Sequence, residues 1–177
     1  MTEADTKAAA AGSPFWRFSL GFYRRKGVAD ACITLQERSG VDVNLLLYLL
    51  WQASQGNAYA VEDVATLEAA VGPWRQATVI PLRTVRRALK EPPGLVAGPT
   101  AEVFRNRIKA VELEAERLQQ EAMYELAKAK SGGRPVASPE QAARTNVSAY
   151  EAMLGTPLPA PAVETLLENF AATNTGD

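Results

Sequence analysis

Apolar residues recur three and four apart through most of this chain, whereas the strict alternation of a half-buried strand is nearly absent. Ser13-Pro14 supplies a cap and a first-turn proline. Phe15, Phe18 and Phe22 follow at helical spacing, with Trp16, Leu20 and Tyr23 on the adjoining stripe and Gly27 as a stop. A second helix is expected over Val28 to Ser39, with Ala31, Cys32 and Leu35 inward and Gly40 in the left-handed closing position. The third, Val43 to Ser54, ends near Gly56 and is apolar nearly all round, so it has to be covered on every side and marks the centre of the fold. Glu62 to Val71 sets Val64, Leu67 and Val71 on one face before Gly72-Pro73 interrupts. Pro81 then restarts a helix with Leu82, Val85 and Leu89 inward.

Three prolines and two glycines between Glu91 and Pro99 make a loop, and Thr100 caps the longest helix, Ala101 to Lys130. Its apolar residues fall at Phe104, Ile108, Val111, Ala115, Leu118 and Ala122, in alternating steps of four and three. That is coiled-coil spacing, although two alanines weaken it as a zipper, and packing on the body of the same chain is expected ahead of self-association. After Ser131-Gly-Gly-Arg-Pro, a cap, a first-turn proline and Gln141 start a short helix that runs to Leu154. A Pro-rich spacer, Thr156 to Pro161, leads to a last amphipathic helix through Val163, Leu166, Leu167 and Phe170. The expectation is therefore an all-α protein. It has a disordered leader over 1–12, a compact multi-helix body without a sheet over 13–130, and a linker with a mobile helical tail over 131–177.

Composition mostly excludes chemistry. Among 177 residues there is no histidine, which removes the usual general base and the commonest transition-metal ligand. A single cysteine, Cys32, allows neither an intrachain disulfide nor a multi-cysteine metal site, and in its apolar setting it reads as a small buried hydrophobe. No metal site and no cofactor is expected, and the residue types point away from an enzyme. Formal net charge is −1, with ten basic against seven acidic residues from Ser13 to Pro93 and two against five from Ser131 onward. That excess is too small for a nucleic-acid binder. The N-terminus lacks the pattern of a secretory signal, and the most apolar run falls far short of the roughly 20 residues that cross a bilayer. The cytoplasm is the expected compartment.

Two constellations could carry binding. Arg83, Arg86, Arg87 and Lys90 lie at i, i+3, i+4 and i+7 and share one helical face, suited to phosphate or carboxylate oxygens. The same face can instead be solvated, or paired within the fold with Asp42, Glu37 or the Glu112-Glu114-Glu116 series. Asp42 and Asn44 stand at the mouth of the most apolar helix. Capping accounts for Asp42, and the other reading is a polar pocket of Gln36, Asp42, Asn44 and Trp51 over a buried helix end. Leu166, Leu167 and Phe170 form a third candidate, a helix seeking a groove on this chain or on a partner.

The segments Phe15-Trp16-Arg17-Phe18-Ser19-Leu20, Gly40-Val41-Asp42-Val43-Asn44-Leu45-Leu46-Leu47 and Pro81-Leu82-Arg83-Thr84-Val85-Arg86-Arg87 resemble an uncharacterised family of small proteobacterial proteins. With Ile108 to Leu113 the resemblance extends over about 13–130. It implies a bacterial cytoplasmic setting and a helical body, and supplies no activity. Two functions stay open. One is a non-catalytic helical interaction or adaptor protein, with a protein partner or self-association through the arginine face, the long helix or the C-terminal helix. The alternative is an enzyme or a non-catalytic binder of a small anion or metabolite, with a pocket around Asp42, Asn44 and the arginine face.

Overall fold

The computed structural model describes residues 12–92, 94–129 and 132–174, so the leader expected over 1–12 lies almost wholly outside the described residues. The protein is all-α. In chain order the helices are α1 (Pro14–Tyr23), α2 (Val28–Ser39), α3 (Val43–Ser54), α4 (Val61–Trp74), α5 (Ile80–Ala88), α6 (Gly98–Lys128), α7 (Pro139–Leu154) and α8 (Ala160–Asn174). Two-residue strands β1 (Asn57–Ala58) and β2 (Arg134–Pro135) pair antiparallel, a small departure from the expected absence of a sheet.

Caps and core follow the periodicity at the N-terminal end. Ser13 Oγ accepts from the Trp16 N–H, and Asp42 Oδ1 accepts from the Asn44 N–H at 2.8 Å. Gly40, at φ 69°, closes α2 in the left-handed conformation. Every residue of α3 from Asn44 to Ala53 is buried, as a helix apolar on all sides requires. Phe15, Tyr48, Trp51 and Tyr124 pack ring against ring beside it, with neighbouring centroids 5.4 to 5.9 Å apart.

Four expectations are corrected. First, Gly72-Pro73 does not end α4. The chain passes through a π-helical turn, Arg75–Val79, where the Ile80 N–H donates to the Arg75 carbonyl five residues back, and continues into α5. The wide turn lies between Pro73 and Pro81, neither of which has an N–H to give a regular α ladder. Second, α5 has no buried residue: Leu82 and Leu89 are half-buried and Val85 is exposed.

Third, α6 turns part of its apolar stripe outward. Phe104, Val111 and Leu118 are 50%, 52% and 45% exposed, while Glu112, Ala115, Gln119, Gln120 and Met123 face the body. Glu112, Gln119 and Gln120 hold the inner face through hydrogen bonds with Arg83, Asp42 and Asn44, and these directional bonds decide the helix's rotation. Fourth, the C-terminal segment is core and not a mobile tail. Tyr150, Leu166 and Phe170 are at most 1% exposed, α7 lies against α3, and α8 lies against α2. Asn146 on α7 is fully buried; its Oδ1 accepts from the Tyr59 N–H at 2.7 Å and its Nδ2 donates to the Leu49 and Asn57 carbonyls. Ser131 lies outside the described residues, but Gly132 and Gly133, at φ 82° and 81°, sit against Tyr59. A Cβ at Gly133 would stand 2.8 Å from that ring, so the apparent linker is a fitted contact.

Candidate functional site

The N-terminal end of α3 opens onto a cleft of about 760 Å³ whose walls are α1, α2, the π turn with α5, and α6. Such a volume is in the range of small-molecule sites. Asp42 lies at its floor, with 6% of its side chain exposed. Beside the cap bond at Oδ1, its Oδ2 accepts from Arg75 Nη1 at 2.6 Å and from Gln119 Nε2 at 2.9 Å, and its backbone N–H donates to the Tyr150 hydroxyl at 2.8 Å. Arg75 also makes a two-pronged pair with Glu68. That pairing, with Asp42 added, raises its already high pKa against the opposing effect of burial, so it is cationic at all working pH. Burial first, and then the Asp42 charge, pushes the Tyr150 phenol up, keeping it neutral.

The buried amides continue the network. Gln119 Oε1 accepts from Asn44 Nδ2 at 3.1 Å, and Asn44 Oδ1 accepts from Gln120 Nε2 at 2.8 Å. Gln120 Oε1 is then left with no partner although it is buried. Ser19 Oγ on α1 is in the same condition, and both residues line the cleft.

On the opposite wall the arginine face turns into the cleft. Arg83 donates to Gln36 Oε1 at 2.6 Å, to Glu112 at 3.1 Å and to Glu116 at 2.7 Å. Arg86 makes a two-pronged pair with Glu112, and Arg87 meets Glu37 at 3.1 Å near the surface. Lys90, the last of the ridge, and Lys109 on α6 reach the cleft with no ion pair among the described residues. Arg24 from the end of α1 completes the basic set. Seven basic side chains thus line the cleft against the four acids Glu37, Asp42, Glu112 and Glu116.

The two inner glutamates differ in electrostatics. Burial would lift the Glu112 carboxyl, but hydrogen bonds from Arg86 and Arg83 outweigh it and hold it below its ordinary 4.5. Glu116 goes the other way: burial raises it, and the charges of Glu112 and Asp42 add to that against the single arginine Arg83.

Of the residues singled out from the sequence, Gln36, Asp42, Asn44, Arg83, Arg86, Arg87 and Lys90 meet in this one cleft. Trp51 does not; it packs in the aromatic cluster of the core. Leu166 and Phe170 are buried against the body and Leu167 is half-buried, so the last helix already occupies its groove. The sequence reading missed Arg75, Gln119, Gln120, Ser19 and Tyr150. The one usable sign was Gln119-Gln120, a pair of adjacent amides inside the long helix.

Among the described residues no helix is long and apolar enough to cross a membrane, and no three His, Cys, Asp or Glu side chains converge as a metal site. No curated protein and no solved structure matches the chain significantly. A family model does match, over residues 14–123, a span that contains every residue lining the cleft and stops short of α7 and α8. The chain belongs to the family described as protein of unknown function (DUF2390).

Proposed function

We propose that this protein binds a small anionic metabolite in the cleft over Asp42, without catalysis. The observation that carries the reading is a metabolite-sized cleft lined by two lysines, Lys90 and Lys109, that make no ion pair among the described residues. Internal pairing of Arg83 and Arg86 fixes their planes and leaves the lysines to meet an incoming phosphate or carboxylate. The bacterial cytoplasm is the setting this reading assumes. Calorimetric titration with a panel of phosphorylated and carboxylated metabolites tests it. At least one is expected to bind, with affinity lost in Lys109→Ala. Failure of the whole panel, or a Lys109→Ala variant that binds as well, refutes it.

A second reading, an interaction protein using the long helix, is favoured by one observation: Phe104, Val111 and Leu118 form an exposed line on α6 at a seven-residue interval. Sedimentation of the full chain beside Val111→Glu checks it, since association through that line would be lost with the charge. A monomer at all concentrations removes self-association through this line.

A further inference from the structure

The amide network has a direction, and the direction can be derived from chemistry alone. Asp42 Oδ2 lies between Arg75 and Gln119, and an ionised carboxylate can only accept. Gln119 must therefore present its NH₂ to Asp42 and its oxygen to Asn44. Asn44 must then donate to Gln119 and turn its oxygen to Gln120. Gln120 spends its NH₂ on Asn44, and its Oε1 is left as the free end of the chain. Amide orientations that would otherwise be ambiguous are set, one after another, by the Asp42 charge.

That free end is the acceptor of a residue that is 3% exposed and lines the cleft. A buried acceptor without a partner is costly, and a ligand group that donates to it recovers the loss. The unpaired Ser19 hydroxyl lines the same cleft from α1. Lys109, Glu112, Glu116 and Gln120 follow one another along α6, so the basic and the accepting ends of the cleft are eleven residues apart, roughly 16 Å along the helix. Leu20, Ile33, Val43 and Leu47 also line the cleft.

We propose that the cleft takes an elongated ligand with an anionic group at the Lys90–Lys109 end and an N–H or O–H donor at the other, held by Gln120 Oε1. A group that only accepts is rejected there, because it would face the Gln120 oxygen. The inference rests on the anion-binding reading above and adds the chemistry of the ligand's far end.

Three probes separate the two claims: octyl phosphate, ω-hydroxyoctyl phosphate and ω-methoxyoctyl phosphate, titrated calorimetrically into the full chain. The hydroxyl compound is expected to bind about tenfold tighter than the methyl ether, the size of one hydrogen bond to a buried acceptor. Lys109→Ala should weaken all three alike. Gln120→Leu provides the sharper test. It removes the accepting oxygen and leaves Lys90 and Lys109 in place. The preference for hydroxyl over ether should then vanish. If all three phosphates bind the native protein equally, the donor requirement is wrong and anion binding stands. Should none bind, both are wrong. A hydroxyl preference that persists in Gln120→Leu overturns the assignment to Gln120.

Discussion

Asp42→Ala is the perturbation on which the reasoning is most exposed, because Asp42 joins a helix cap, a buried ion pair and the amide network in one side chain. Its cap bond to the Asn44 N–H contributes about 1 kcal/mol. Removing Oδ2 strands the buried Gln119 NH₂, at about 1–3 kcal/mol. Arg75 would be the largest cost if it were left alone, since breaking a buried ion pair by deleting one partner costs about 3–5 kcal/mol. It is not left alone: Glu68 keeps its two-pronged grip, and 17% of the Arg75 side chain is exposed. The expected loss is therefore about 3 kcal/mol, the cap and the stranded amide combined. Asp42→Asn keeps the Oδ1 acceptor, so it should lose about 1 kcal/mol less. Urea unfolding with an unchanged m-value measures both, and an Arg75→Ala double-mutant cycle isolates the pair. A loss under about 1 kcal/mol for Asp42→Ala, or equal losses for the alanine and asparagine variants, would refute this account of the α3 entrance.

Truncation after Lys130 removes Tyr150, Leu166 and Phe170 from the core, and the shortened chain is expected to lose cooperative thermal unfolding; a sharp transition would show that α7 and α8 are dispensable. Burial pushes the Cys32 thiol up to about 12 and leaves none of its surface exposed, so a thiol reagent should react only on unfolding; rapid labelling of the native protein would contradict its place in the core. Glu116 has its folded-state pKa raised, so the folded state favours its protonated form and stability from this site is lost as pH rises above 4.5. Glu116→Gln should accordingly gain in melting temperature over the native chain as pH climbs from below 4.5, and a gap that shrinks with rising pH would reverse the sign.

The all-α class, the caps at Ser13 and Asp42, the left-handed Gly40 and the central place of α3 were all legible in the sequence. Each depends on neighbours within a few residues along the chain, the range over which periodicity and capping act. The cleft residues Gln36, Asp42 and Asn44 and the arginine ridge were legible as residue types, without their partners. What only the tertiary structure decided is which faces meet. Seven-residue spacing on α6 indicates a stripe but not the direction in which it points. The bonds of Arg83 and Arg86 to Glu112, and of Gln119 and Gln120 to Asp42 and Asn44, turn the polar face inward and leave Phe104, Val111 and Leu118 outside. Likewise Gly132-Gly133 has the composition of a flexible joint, and only the ring of Tyr59 against it makes it a fixed one. Helical pattern is a local property that a sequence carries along itself; the pairing of a carboxylate with donors 33 and 77 residues away is a property of the folded chain.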